Sequence, residues 1–451
     1  MTREPDQGID ALPDPVPITA VSGFDACLEA PGSKSITNRA LVLAALAEGT
    51  STLEYPLVST DTVRMAIAME RVGANIDREA GSWIVNGLGS NGPTAASLDL
   101  GDGGTPARFC AALALLGHEP ITVDGSSRLR QRPMEQGLRM LQELGASIEC
   151  LQEEGHLPVR ICGPSGSGST LSIGRTASSQ FISAILLVAP RLPGGIRIEF
   201  TEEPTSSSYI RLTIDLLRQW GITVEHDDAF SRVQVHPGPI TPRHCFIEPD
   251  ASTAIYGLAA AAISLDSTVT VPGIGKDSLQ PDIEVIRCLQ RMGADVHWQD
   301  DAVSVTGSSR LHPIQVDASL FPDGAVLLAA CCALADGASE ITGLHTLRVK
   351  ESDRITALHT ELEKVGCSVQ STDDSIRIEP GDRTDADVMI RTYDDHRIAM
   401  SMAVLGTRLG GLSIEDPACV IKSHPGFWHD MATLGAIDGG WLYEAGSNGD
   451  T

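Results

Sequence analysis

Four short stretches gather the residue types that bind and rearrange anions. The first is Pro31-Gly32-Ser33-Lys34-Ser35-Ile36-Thr37-Asn38-Arg39, which runs from a strand-like segment into an apolar helical run over residues 40–47. Pro31 and Gly32 end the strand, and Gly32 lets backbone approach a ligand closely. Ser33 or Ser35 can cap the helix, whose free N–H groups and positive dipole end favour an anion. Lys34 is the odd residue, because a cation at a helix N-terminus is disfavoured unless negative charge joins it. The second stretch, Arg128-Leu129-Arg130-Gln131-Arg132-Pro133, packs three arginines ahead of a helix. The third, Arg348-Val349-Lys350-Glu351-Ser352-Asp353-Arg354, sets Lys350 and Arg354 four apart with Glu351 between cations that hold it ionised. The fourth, Lys422-Ser423-His424-Pro425, follows the last β-like segment. Singly, each is an ordinary solvated charge run; together they suit a phosphate or carboxylate substrate.

Composition sharpens that reading. The 451 residues carry 33 Lys+Arg against 59 Asp+Glu, a formal charge of −26, so clustered cations stand against the average. Such a surface argues against nucleic acid and anionic membranes as partners. A chain this long, 42% hydrophobic, builds more than one core, and two domains are expected. The ten cysteines show no CxxC pair and no Cys/His ligand spacing. With no secretory signal, sequon or membrane-length apolar run, a cytoplasmic protein is expected. Residues 1–15, rich in proline and acids, are expected to form a loose tail.

The elements that must hold these stretches repeat six times. Glycines 73, 145, 221, 293, 366 and 435 are separated by 72, 76, 72, 73 and 69 residues. Each closes an amphipathic helical pattern, such as residues 61–71, 133–143 or 282–291, at the stop position that glycine suits. A short β-rich segment precedes each of these helices, and in the first five copies a strand pair follows. Each unit opens with a strand, a polar loop and a wholly apolar helix. The six polar openings centre on Lys34, Gly104, Gln180, Asp250, Asp323 and His396. The pattern is α/β, a βαβαββ unit used six times, with buried helices whose polar N-termini form an anion-seeking surface.

The motifs Pro31–Arg39 (PGSKSITNR), the glycine-rich run at 101–108, Ser178-Ser179-Gln180, the run at 348–354 and Asp395-His396-Arg397 resemble those of 5-enolpyruvylshikimate-3-phosphate synthases, in order and spacing, from about Thr19 to Leu434. The resemblance implies a two-domain inside-out α/β barrel with three repeats per domain. Residues 1–33 and 248–451 would form one discontinuous domain and 34–247 the other, with the active site in the cleft between them. The implied reaction moves the carboxyvinyl group of phosphoenolpyruvate to the 5-hydroxyl of shikimate 3-phosphate, with no metal or organic cofactor, in a monomer. Carried over by motif, shikimate 3-phosphate would meet Lys34, Ser35, Arg39, Ser178, Ser179, Gln180, Ser206, Tyr209, Asp323 and Lys350. Phosphoenolpyruvate would meet Lys34, Gly104, Arg128, Gln180, Arg354, Arg397 and Lys422, in a pocket also expected to admit glyphosate. Asp323 is the expected base, Glu351 and Lys34 proton donors or relays, and His396 a contact to the tetrahedral centre. The chain departs from the family's usual asparagine at Asp102 and at Thr346.

Three other readings fit less well. A transferase acting on UDP-N-acetylglucosamine would carry a cysteine in the loop at 126–133, and this loop has none. A nucleotide-binding loop at 163–170 nearly matches the P-loop pattern, but Ser169 stands where its lysine is needed. A binding scaffold without catalysis would not retain Lys34, Asp323, Glu351 and Arg397 together.

Overall fold

The computed structural model describes residues 12–79, 81–163, 169–382 and 387–443. Most of the glycine-serine run at 163–170 and of the acidic N-terminal tail therefore lies outside the described residues. The chain divides into two units: Gly32–Ile247, and the two flanking segments ending at Pro31 and beginning at Glu248.

The first unit has three buried helices, Lys34–Leu46, Gly104–Leu113 and Gln180–Val188, each apolar almost all round. The side chains of Leu41, Leu43, Leu46, Phe109, Ile182 and Leu186 are sealed from solvent in one core. Around them lie three four-stranded sheets. In the second sheet Ala96–Asp99 runs parallel to Ile121–Asp124, and Val159–Cys162 and Ser147–Cys150 add antiparallel. The third sheet, Thr170–Ile173, Ile196–Phe200, Arg232–Val235 and Val224–His226, repeats that order. Its strands alternate buried and exposed residues, as expected where one face meets helices and the other water.

The second unit repeats the arrangement around Ala251–Ile263, Pro322–Cys332 and His396–Leu409. Its alanines and paired cysteines, Cys331 and Cys332, are small enough to let helices approach closely. First strands are exchanged along the chain. His244–Phe246 pairs parallel to Thr50–Glu54 in the first unit. Asp25–Cys27 pairs parallel to Thr268–Pro272 in the second. The sixth sheet, Val388–Ile390 with Leu412–Ile414, takes the N-terminal strand Val16–Ile18 as its antiparallel member. Residues 12–15 thus differ from the loose tail expected from their composition. Leu12 packs into the core, and the Asp14 carboxylate accepts the Asp416 N–H at 2.9 Å.

The six repeat glycines all have positive φ, between 80° and 115°. In each copy the residue after the glycine donates its N–H to a carbonyl five residues earlier, as Ala74 does to Met69 and Cys367 to Leu362. This left-handed helix stop explains why a side chain is excluded at those positions.

Candidate functional site

In the second unit, the N-termini of Pro322–Cys332, Arg354–Lys364 and His396–Leu409 bring charged residues into one network. Arg354 lies at its centre, 1% exposed. Its Nη1 donates to Asp323 Oδ1 at 2.8 Å, its Nη2 to Glu351 Oε2 at 2.9 Å, and its Nε to Asp395 Oδ2 at 2.8 Å. Lys350 Nζ lies 3.2 Å from Asp323 Oδ1, Arg397 Nη2 3.6 Å from Asp323 Oδ2, and Lys422 Nζ 3.6 Å from Glu351 Oε1. Four cations therefore interleave with the carboxylates of Asp323, Glu351 and Asp395. Burial pushes the Asp323 carboxyl up, but Lys350, Arg397 and Arg354 outweigh it and hold the group well below the usual carboxylate range. Burial works against the Arg354 charge, yet Asp395, Glu351 and Asp323 more than restore it.

Asp395 organises this end of the site. It caps its helix by accepting the Arg397 N–H at 3.0 Å, and it also takes the Ser352 hydroxyl at 2.8 Å. His396 is buried directly behind it. One layer further in, the sealed Asp282 accepts the Gly324 N–H at 3.1 Å and the Ser252 hydroxyl. Burial raises Asp282 to about 6, eased by Arg397 and reinforced by Asp323. Thr346 is buried, and its hydroxyl has no partner among the described residues.

In the first unit, Ser33 rather than Ser35 caps the helix that Lys34 opens, and Lys34 Nζ lies 3.7 Å from Asp61 Oδ2. Gly104 opens the next buried helix. A Cβ there would meet Arg108 Nη1 and Arg132 Nη1, each at 2.6 Å. Arg108 donates to Gln180 Oε1 at 2.8 Å and lies over the Phe181 ring. Asp61 borders the same glycine turn, 3.3 Å from where a Cβ on Gly103 would sit. Lys34, Gly104, Arg108, Arg132 and Gln180 thus form one basic group at helix N-termini.

A second group surrounds Arg39, which is buried and lowered to about 10 by that burial. Its guanidinium donates to Thr213 Oγ1 at 2.8 Å, the Ser35 carbonyl at 3.0 Å, Ser183 Oγ at 3.2 Å and the Tyr209 carbonyl at 3.4 Å. Ser206, in the left-handed region at φ 47°, accepts the Tyr209 N–H at 3.1 Å. Ser178 Oγ accepts the Gln180 N–H at 3.2 Å, and Ser179 is buried beside it at the helix start.

Arg128, expected to meet phosphoenolpyruvate, lies in the arginine run ahead of the helix Glu135–Glu143. It is exposed and donates to Gln131 Oε1 at 3.2 Å, while Arg132 of the same run reaches Gly104. The run contains a one-turn helix, Ser127–Arg130, capped by Ser126. The Ser126 hydroxyl also donates to Asp102, so the unusual carboxylate is engaged by the arginine segment. Asp61 and Asp282 were not expected from the sequence, and Arg108 and Arg132 lay in its motifs without an assigned role. Arg108, four residues after Gly104 on a helix, had a spacing that could have marked it.

A family model described as EPSP synthase (3-phosphoshikimate 1-carboxyvinyltransferase) matches residues 18–431. A 3-phosphoshikimate 1-carboxyvinyltransferase of Syntrophobacter fumaroxidans is 38% identical over 418 residues, covering 92% of this chain and 99% of that one. One of Shewanella denitrificans is 37% identical over 421 residues, covering 92% and 97%. Among solved structures, an EPSP synthase from Acinetobacter baumannii matches with a TM-score of 0.78 at 27% identity, covering 94% of this chain and 98% of that chain.

Proposed function

The chain belongs to the EPSP synthase family, and on that premise we propose that it transfers the carboxyvinyl group of phosphoenolpyruvate to the 5-hydroxyl of shikimate 3-phosphate, releasing phosphate. The observation that carries this is the interleaved network of Lys350, Arg354, Arg397 and Lys422 with Asp323 and Glu351. Two polyanionic substrates need fixed cations to orient them and offset their repulsion. Without them, the carboxylates supply the counter-charge.

The chemistry is an addition followed by an elimination. Asp323 takes the proton of the 5-hydroxyl as its oxygen bonds to the central carbon of phosphoenolpyruvate, and the methylene carbon gains a proton from Lys34, directly or relayed through Glu351. The tetrahedral adduct then returns a methyl proton to the group that supplied it and expels phosphate, which carries off the proton held by Asp323, and the vinyl group is restored. A carboxylate held as low as Asp323 is a weak base. Substrate phosphate and carboxylate groups that draw Lys350 and Arg397 to themselves raise its basicity when it is needed. Arg354, spent on three carboxylates, holds this end in shape, and Arg397 and Lys422 meet phosphoenolpyruvate. Shikimate 3-phosphate is assigned to Ser35, Arg39, Ser178, Ser179, Gln180, Ser206, Tyr209 and Lys350; Gly104 lies on the phosphoenolpyruvate side.

All ten cysteines are free thiols, which supports a reducing compartment, the cytoplasm. A monomer is the proposed state. No helix among the described residues is long and apolar enough to cross a membrane. The test is phosphate release from phosphoenolpyruvate with shikimate 3-phosphate or UDP-N-acetylglucosamine as acceptor. Turnover with the first alone is expected; turnover with the second alone would reject the assignment.

A further inference from the structure

The helix Arg354–Lys364 grips the loop that opens His396–Leu409 at two places. Arg354 holds Asp395. Two turns along, Glu361 is also sealed from solvent, although no step of the reaction calls for it. Its Oε1 accepts the Tyr393 hydroxyl at 2.8 Å. Its Oε2 accepts the Arg391 N–H at 3.2 Å and the Lys364 ammonium at 2.6 Å. Lys364 also donates to the Met389 carbonyl at 3.1 Å, and the Arg391 guanidinium lies 5.2 Å over the Tyr393 ring. One carboxylate thus fastens the end of the strand Val388–Ile390 and the loop after it.

That loop is strained where it is held. Tyr393 and Asp394 are consecutive non-glycine residues in the left-handed region, at φ 59° and 54°. Side-chain-bearing residues avoid this conformation, and it persists where surrounding contacts over-determine it. The next three residues are Asp395, His396 and Arg397, so any relaxation of the turn moves the cap and the guanidinium that follows.

We propose that Glu361 and Tyr393 form a positioning pair that sets Arg397 by holding this strained turn against the helix Arg354–Lys364. The inference rests on the reading of Arg397 as a phosphoenolpyruvate contact. Tyr393→Phe keeps the ring and its place under Arg391 but removes the donor to a buried carboxylate. Glu361→Gln keeps two polar atoms in place and removes the charge.

The experiment measures steady-state kinetics and thermal midpoints of Tyr393→Phe, Glu361→Gln, Glu361→Ala and Arg397→Lys. Tyr393→Phe and Glu361→Gln should raise KM for phosphoenolpyruvate about three- to tenfold, the size of one hydrogen bond. KM for shikimate 3-phosphate should stay within about twofold, and Glu361→Ala should be worse than Glu361→Gln. A lower midpoint with unchanged KM in both conservative variants would mean a purely structural role and overturn the proposal. Raised KM in Arg397→Lys with wild-type values in Tyr393→Phe and Glu361→Gln would also overturn it while sparing the reading of Arg397. A wild-type KM in Arg397→Lys would overturn that reading and the positioning role together.

Discussion

Arg354 and Asp395 meet through two contacts, Nε to Oδ2 at 2.8 Å and Nη2 to Oδ1 at 3.2 Å, with both side chains sealed from solvent. A buried pair of this kind is costly to break from one side, because the partner keeps an uncompensated charge. Asp395→Ala should lower unfolding stability by about 3–5 kcal/mol, whereas the same substitution at exposed Asp373 should change it by less than about 0.5 kcal/mol. Chemical denaturation of the two variants makes the comparison.

Asp323→Asn should lower kcat by about 10²–10⁴-fold, the loss of one proton-transfer group. Its neighbours Lys350 and Arg397 would then lack a counter-charge, so substrate affinity should hold or improve. Initial-rate kinetics with each substrate varied separates the two effects. A fall in affinity with kcat intact would make Asp323 a binding residue only.

How much of this was legible beforehand depended on how local the cause is. The six glycines announced themselves because a left-handed helix stop excludes a side chain, whatever surrounds it. The network around Arg354 was foreshadowed by Lys350, Glu351 and Arg354 lying within one turn of each other. The arginine run does not announce the one-turn helix Ser127–Arg130 or the Ser126 cap that starts it. Asp282 resembles any acid at a helix start until Ser252 and Gly324, distant in sequence, close over it. Val16–Ile18 is too short, and too close to prolines, to give a strand pattern of its own.

Asp282 gives a pH signature. Its folded value near 6 exceeds the ordinary carboxylate value near 4, so the folded chain holds this proton longer than the unfolded chain. Its contribution therefore disfavours folding increasingly as pH rises from about 4 to 6, then levels off. Asp282→Asn removes that term. Relative to wild type, the variant should gain about 1–3 kcal/mol between pH 4.5 and pH 7. Urea unfolding at both values reads it, and a pH-independent difference would refute the titration of Asp282.

Gly104 and Arg132 make a paired prediction about phosphoenolpyruvate. A methyl on Gly104 would displace the Arg108 and Arg132 guanidinium tips, which are flexible ends, so Gly104→Ala should fold normally. It should raise KM for phosphoenolpyruvate and weaken glyphosate inhibition still more. Arg132→Ala should raise that KM by more than tenfold, and Arg128→Ala by less than about threefold. Equal effects of the two arginine variants would remove Arg132 from the pocket.

Enolpyruvyl transfer through a tetrahedral adduct leaves a signature in a single turnover. Enzyme in excess is mixed with shikimate 3-phosphate and phosphoenolpyruvate, quenched over time, and the organic products and phosphate are quantified. A transient adduct carrying both substrates should appear, followed by one enolpyruvyl ether and one phosphate per acceptor consumed. Phosphate released with pyruvate instead of the ether, or substrates bound and recovered unchanged, would contradict it.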